Sequence, residues 1–147
     1  MNNLNISNYC YKMIHLISYG DDNYRDAKKR IEMEALSTGW FHSITVYGPE
    51  ILDNNFKNKF KEVLNHPRGA GYWLWKNYII KKKISEINDN DILIYLDAGC
   101  SINKKGKKRF NEYVDMLNSS DEGIISFKLS HLEKFYTTKE IFNYFNI

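Results

Sequence analysis

One acidic turn is the clearest candidate for chemistry in this chain. Asp97-Ala98-Gly99 comes directly after the apolar run ILIYL at 92–96, which ends at Leu96. A carboxylate at that place is costly unless it is paired or faces a cleft, and Gly99 would let the backbone approach a ligand. Such a carboxylate can hold a ribose hydroxyl, a sugar hydroxyl, or a Mg²⁺ or Mn²⁺ ion that bridges a diphosphate. We therefore expect Asp97, Ala98 and Gly99 to bind substrate, with Asp97 as the candidate metal ligand; a capping aspartate is the alternative.

A second segment combines glycines, aromatic residues and cations, in the order RGAGYWLWK at 68–76. Its glycines open the predicted start of a helix, where unpaired N–H groups can hold a phosphate. Trp73 and Trp75 point to different sides of a helix, so both cannot be core, and one is expected to line a sugar or base site. Packing of both tryptophans under a loop remains the alternative. The expected ligand contacts are Arg68, Gly69, Gly71, Tyr72, Trp73, Trp75 and Lys76.

A third segment, Ser18-Tyr19-Gly20-Asp21, ends the first apolar run. Gly20 permits a tight turn and Tyr19 offers a ring that can stack on a base, so Ser18, Tyr19 and Gly20 are expected to contact the ligand. An ordinary strand-to-helix turn is the alternative. The Gly-x-Gly-x-x-Gly fingerprint of dinucleotide sites is absent here, as is the Gly-Lys-Ser/Thr phosphate loop.

The elements that must position these segments alternate between strands and helices. Such an order predicts an α/β sandwich with a mainly parallel sheet, whose ligands bind at the carboxyl ends of the strands. The run at 92–96 is apolar throughout and predicts a central strand that is buried on both faces. The predicted strands are 11–18, 43–47, 92–96 and 123–127. The first predicted helix is capped by Asp22 or Asn23, runs to about Ser37 and is ended by Gly39. The other predicted helices span 54–64, 72–87, 107–117 and 139–145.

Length and composition indicate one domain over residues 1–147, with residues 1–8 flexible. The formal net charge of +3 permits an anionic ligand, and no basic run is interleaved with aromatics as in nucleic-acid grooves. Cys10 and Cys100 form neither a Cys-x-x-Cys pair nor a zinc pattern. With no signal peptide and no membrane-spanning run in the sequence, we expect a cytoplasmic protein that can lie peripherally at a membrane.

Two of these segments, HPRGAGYWLWKNYIIKK and NDNDILIYLDAGCSIN, together with the later HLEKFYTTKEIFNYF, resemble a family of bacterial and viral GT-A-like glycosyltransferases. The resemblance covers roughly Ile14 to the end. It implies a Rossmann-like domain that binds a nucleotide diphosphate sugar and transfers the sugar to a glycan or lipid-linked acceptor. Asp97 matches the first Asp of the family's Asp-x-Asp signature, and Gly99 stands at the second acidic position. Members usually continue into an acceptor-binding part, so the resemblance implies that the chain is the front part of such a protein or is inactive; a natural end is the alternative.

Two other functions are compatible with the sequence. A non-catalytic nucleotide-binding or interaction module fits a site with one carboxylate in place of two. An NAD-type oxidoreductase is disfavoured by the missing glycine fingerprint. No catalytic base can be named, because the four histidines are scattered and no Ser-His-Asp or Cys-His set is indicated by the sequence.

Overall fold

The computed structural model describes residues 12–128 and 130–146. Residues 1–8, Cys10 and Tyr11, on which some of the expectations above fall, lie outside the described residues. The chain divides into two compact units, Met1–Lys104 and Lys105–Ile147. All three segments singled out above belong to the first unit.

The first unit is built on a parallel sheet of three strands: β1 (Ile14–Tyr19), β2 (Ser43–Tyr47) and β3 (Ile92–Tyr95). Their order is β2-β1-β3, with Leu16 of β1 in register with Ile44 and Ile94. The expectation that the 92–96 run forms the central strand is wrong for the described strands, because β1 holds that place. β3 is an edge strand with only Ile92 buried, and its apolar side chains Leu93 and Tyr95 pack on the core beneath it.

One face of the sheet is associated with α1 (Arg25–Thr38), which contacts β1 and β2 and buries Ile31 and Ala35. The helix ends at Gly39, whose φ of 65° is left-handed, as the sequence predicts. The predicted cap differs by one residue. Asp21, rather than Asp22 or Asn23, accepts a hydrogen bond from the N–H of Asn23 and starts a 3-10 turn at Asp22–Tyr24 that leads into α1.

A 3-10 turn at Pro49–Ile51 and four α-helical segments connect β2 to β3, and they end in α5, which packs on the opposite side of β1. Trp75 and Ile79 of α5 join Ile17 and Tyr19 of β1 in the main core cluster. The predicted helix 54–64 is broken at Phe60, and the predicted helix 72–87 is shorter at both ends. The segments are α2 (Asn54–Lys59), α3 (Lys61–Leu64), α4 (Gly69–Tyr72) and α5 (Leu74–Ile84).

The strand order creates a crevice. The connection from β1 to β2 leaves β1 on one side, and the connection from β2 to β3 returns across β1 to its other side. Since parallel crossovers are right-handed in about 98% of cases, connections in opposite directions place their helices on opposite faces. Where the direction reverses, the loops that follow β1 and β3 diverge, and open α/β sheets bind ligands there.

At the end of the sheet opposite the crevice, a hydrogen-bonded network around His15 links the amino ends of the strands. Its Nδ1 lies 2.7 Å from Oγ of Ser43, and its Nε2 lies 3.3 Å from Oδ2 of Asp91. Asp91 also accepts from the backbone N–H of Met13 at 2.9 Å, and this bond is the main reason that the pKa of Asp91 lies below its usual range. The network joins the starts of all three strands, so we assign it to the fold.

The second unit contains α6 (Lys107–Asn118) and α7 (Lys139–Phe145), close to the predicted helices. The predicted strand 123–127 is wrong, because this segment forms no strand and Ile124 and Phe127 are 71% and 65% exposed. The ring of Phe127 meets Tyr113 of α6 edge-on at 5.5 Å, so the apolar run contacts a helix and not a strand. Among the described residues, no helix has the length and hydrophobicity needed to cross a membrane.

Two glycines with positive φ provide a matched test of the fold around α4. A Cβ at Gly71 (φ 92°) would lie 2.7 Å from the Cα of Leu64, whereas a Cβ at Gly39 (φ 65°) would meet nothing within 4 Å. Gly39→Ala should therefore cost only the left-handed backbone, about 1–2 kcal/mol. Gly71→Ala should cost clearly more, because Leu64 must also move. Urea unfolding of both variants checks this, and equal losses would show that α3 and α4 are not packed as described.

Candidate ligand site at the carboxyl end of the sheet

A cavity of about 630 Å³ lies at the ends of β1 and β3. Three segments of the first unit line it: the turn after β1, the region of α4 and the start of α5, and the turn after β3. It thus occupies the crevice that the strand order creates. The lining residues are Tyr19, Gly20, Asp21, Asn23, Tyr24, Pro67, Gly69, Ala70, Trp73, Trp75, Asp97, Ala98 and Gly99.

Two stacked rings form part of the cavity wall. Tyr19 and Trp75 lie with their ring centroids 3.8 Å apart and their planes within 18° of parallel, and each is only 6% exposed. Trp75 also donates from Nε1 to the carbonyl of Gly69 at 3.0 Å. Burial, with Asp21 and Glu50 nearby, raises the pKa of Tyr19 to about 12, so its hydroxyl stays protonated at neutral pH. Trp75 occupies one face of the Tyr19 ring, so stacking of a base on Tyr19 is left to the other face.

The turn α4 is wound left-handed. Every residue from Gly69 to Trp73 has a positive φ, including Ala70 (47°), Tyr72 (51°) and Trp73 (59°). A left-handed conformation costs a residue with a side chain about 1–2 kcal/mol, so the surrounding contacts must hold this turn in place. Its backbone is also internally paired, since the N–H groups of Ala70, Gly71, Tyr72 and Trp73 donate to the carbonyls of Pro67, His66, Arg68 and Gly69.

The prediction that unpaired N–H groups between Gly69 and Tyr72 hold a phosphate is therefore wrong for Ala70, Gly71 and Tyr72. The right-handed helix begins at Leu74, after the glycines, and Gly69 lines the cavity. Gly71 is buried against α3 and does not line the cavity.

The left-handed turn leaves one aromatic ring available to a ligand. Trp73 is 45% exposed on the cavity wall, whereas Trp75 is buried. The expectation that the two tryptophans are not both core is thus confirmed, although Trp73 lies in the left-handed turn before α5 and not on the helix. The guanidinium of Arg68 lies 5.9 Å from the Trp73 ring centroid, at cation–π distance. Trp73 therefore offers a broad apolar face with a positive charge beside it.

At the other wall, Asp97 is held by two donors. Its Oδ1 accepts from the hydroxyl of Tyr95 and lies 3.1 Å from Nζ of Lys76. Lys76 is itself placed by rings, with Nζ 4.7 Å from the centroid of Tyr95 and 5.9 Å from that of Trp75. Burial works to raise the pKa of Asp97, but the Tyr95 hydroxyl and the Lys76 ammonium outweigh it and hold the pKa below its usual range. Asp97 is thus an oriented, ionised carboxylate whose side chain is 60% exposed.

The donor set around Asp97 does not fit a divalent metal ion. Mg²⁺ and Mn²⁺ are bound by several oxygen ligands, and Gly99 stands where a second carboxylate would be needed. Within the described part of the chain, no group of three His, Cys, Asp or Glu side chains is arranged to hold a metal. One oxygen of Asp97 already faces an ammonium. The residues around Asp97 therefore do not form a set of ligands for a divalent metal ion.

The turn that carries Asp97 is fixed from α1 by a clasp of two side chains that the sequence analysis missed. Arg30 donates to the carbonyls of Ala98 (3.0 Å) and Cys100 (2.9 Å) and to Oγ of Ser101. Glu34, paired with Arg30 at 3.1 Å, accepts from the N–H of Ile102 at 2.7 Å. That backbone bond is the largest cause of the lowered pKa of Glu34. The spacing i, i+4 could have suggested an ion pair on α1, but not its contact with a loop about 70 residues away.

The cavity unites part of the predicted site. Eight predicted residues line it: Tyr19, Gly20, Gly69, Trp73, Trp75, Asp97, Ala98 and Gly99. The other five do not: Ser18 is fully buried, Gly71 packs on α3, Arg68 and Lys76 act through neighbours, and Tyr72 turns to His66. Sequence reasoning missed Asn23, Tyr24, Pro67 and Ala70, and it treated Asp21 only as part of a turn.

Comparison with protein-family models, with curated proteins and with solved structures yields no significant match for this chain.

The clasp on the Asp97 turn gives a test of how this site is positioned. Arg30→Ala removes three hydrogen bonds to the turn and should lower the free energy of unfolding by about 1–3 kcal/mol. It should also speed hydrogen exchange at the amide of Ile102, because Glu34 loses its partner. Arg25→Ala, at the exposed start of α1, is the matched control and should change neither quantity. Protection of Ile102 that survives in Arg30→Ala would show that Arg30 does not hold this turn.

Proposed function

We propose that this chain is the nucleotide-sugar-binding domain of a GT-A-like glycosyltransferase, which transfers a sugar from a nucleotide diphosphate sugar to a glycan or other acceptor. The observation that carries the proposal is the cavity at the β1 and β3 ends, with the ionised Asp97 on one wall and the exposed Trp73 on another.

The size of the cavity supports a ligand larger than a single sugar. At about 630 Å³ it falls within the range of about 300–1,000 Å³ that is usual for sites of small molecules and cofactors. Its lining mixes aromatic rings with a few polar groups, as such sites do. A nucleotide sugar presents a base, a ribose, a diphosphate and a sugar, and therefore needs both kinds of surface.

Each wall offers a complementary group to one part of that ligand. Asp97 can accept hydrogen bonds from ribose or sugar hydroxyls, which are its natural partners as an oriented carboxylate. Trp73 can stack on the flat face of a base or of a sugar ring. The position of Gly99 is open, since a Cβ there would meet nothing within 4 Å, so a ligand can approach the backbone of the turn.

The transfer itself has simple requirements. The bond between the anomeric carbon and the phosphate oxygen breaks and leaves its electron pair on the diphosphate. The acceptor hydroxyl forms the new bond to that carbon and gives up its proton to water or to a base. The developing charge on the diphosphate needs cations close by, and our candidate for this role is Arg68, which lies beside Trp73 although it does not line the cavity.

Removal of the Asp97 carboxylate should weaken donor binding while the fold is kept. We expect Asp97→Ala to lose at least about tenfold in affinity, the equivalent of one good charge-assisted hydrogen bond. Thermal shift with UDP-glucose, UDP-N-acetylglucosamine and GDP-mannose selects the donor, and titration calorimetry measures it. Asp89→Ala, an exposed aspartate in the turn before β3, is the matched control. Equal affinity of Asp97→Ala and the wild type for the best donor would contradict the proposed site.

A binding module without catalysis is the second candidate, favoured by the single carboxylate at Asp97 and the fully paired amides of Ala70 to Trp73. Turnover separates the two. For a transferase domain we expect slow release of nucleoside diphosphate from the donor that binds, with water as the acceptor, and loss of that release in Asp97→Ala. Tight binding with no release of nucleoside diphosphate, with or without a glycan acceptor, would favour the binding module.

A further inference from the structure

We propose that Lys76 takes, at Asp97, the part that a divalent cation plays beside a pair of acidic residues, so that this site recognises its ligand without a metal. This inference rests on the proposed function for the identity of the ligand. The role of Lys76 in keeping a metal away from Asp97 depends only on the residues around Asp97.

The ion pair between Lys76 and Asp97 occupies one oxygen of the carboxylate. Nζ of Lys76 lies 3.1 Å from Oδ1 of Asp97, and the Tyr95 hydroxyl donates to the same oxygen. A metal bound to that oxygen would have to displace both donors. A metal bound through Oδ2 alone would have a single protein carboxylate oxygen as ligand, close to a fixed positive charge.

The Lys76 side chain is held in place by its neighbours. It lies on the first turn of α5, one residue after the buried Trp75, and its ammonium faces the rings of Tyr95 and Trp75. Attraction to two ring faces and to one carboxylate fixes a side chain that is otherwise flexible. The Lys76 side chain is 31% exposed, so the charge is partly shielded from water.

Gly99 lies two residues beyond Asp97, at the position where a second acidic residue would complete the pair. A Cβ at this position would meet no atom within 4 Å, so the fold does not require glycine there. An acidic side chain would fit, and it would complete an Asp-x-Asp pair next to the cavity. The fixed ammonium makes that second carboxylate unnecessary, because it already balances the charge of Asp97 when an anionic ligand approaches.

This arrangement assigns a division of labour. Oδ1 of Asp97 is used by Tyr95 and Lys76, and Oδ2 has no protein donor among the described residues. Oδ2 is thus the oxygen that can accept a hydroxyl of the ligand. Lys76 is a positioning residue, which keeps Asp97 ionised and oriented, and it does not line the cavity.

The test uses Mn²⁺ alone as the probe, followed by electron paramagnetic resonance, on the full chain. Four proteins are compared: wild type, Gly99→Asp, Lys76→Met and the Gly99→Asp/Lys76→Met double variant. We expect the double variant to bind Mn²⁺ at least about tenfold more tightly than the wild type and than Gly99→Asp. Lys82→Met combined with Gly99→Asp is the matched control, since Lys82 forms an ion pair with Glu86 on the same helix. If Lys76→Met does not fold, Lys76→Gln replaces it.

Two results would overturn the proposal. One is tight Mn²⁺ binding by the wild type that Asp97→Asn abolishes, since the metal would then share the site with Lys76. The other is a double variant that binds Mn²⁺ no better than Gly99→Asp, since the ammonium would then not be what keeps the metal away.

A second arm asks whether donor recognition needs a metal. The affinity of the best nucleotide sugar should be unchanged, within about twofold, between EDTA and Mn²⁺. It should fall by about tenfold or more in Lys76→Met, with no rescue by Mn²⁺. Loss of donor binding in EDTA would contradict the inference. If no nucleotide sugar binds at all, the proposed function fails, while the Mn²⁺ comparison still decides the role of Lys76.

Discussion

Parallel pairing of β1 with both of its neighbours is the constraint on which the rest of the first unit depends. Because β2 and β3 lie on opposite sides of β1, the chain must leave β1 in one direction and come back across it in the other. The crossing opens the crevice between the two carboxyl ends. It also brings the start of α5 against β1, where the stacked pair of Tyr19 and Trp75 joins sheet, helix and cavity wall.

The two walls of the cavity are stabilised by different means. The wall around Asp97 is stabilised by electrostatic interactions. Arg30 and Glu34 of α1 fix the turn, and Tyr95 and Lys76 orient the carboxylate. The wall around Trp73 is stabilised by packing, since the left-handed turn packs on α3 and sets the direction of the ring. Both walls hold polar or strained groups that the sheet alone would not stabilise. Such preorganisation is what a binding site needs, because less ordering remains to be done when the ligand arrives.

The sequence predicted the parts of this site that follow from general rules. A carboxylate after an apolar run, with strands and helices alternating, places Asp97 at the carboxyl end of a parallel sheet. The sequence also predicted that Trp73 and Trp75 are not both core, but for the wrong reason, because Trp73 lies in the left-handed turn before α5 and not on the helix. The sequence did not reveal the left-handed turn, since Ala70, Tyr72 and Trp73 are residue types that rarely have positive φ. Nor could it reveal that Arg30 contacts the Asp97 turn, because that contact depends on tertiary packing. The apolar run at 123–127 misled for a related reason: periodicity alone cannot decide between a paired strand and a segment that contacts a helix.

We propose that a nucleotide sugar occupies the cavity at the ends of β1 and β3. The most direct measurement is a titration of the isotope-labelled chain with the best donor, followed through backbone amide chemical shifts. Chemical-shift perturbations should be concentrated in three stretches: 19–24, 68–76 and 97–102. The amides near His15, Ser43 and Asp91, at the amino ends of the strands, should stay unperturbed. Perturbations centred on these amino ends, or no perturbation with any nucleotide sugar at millimolar concentration, would contradict the proposed site.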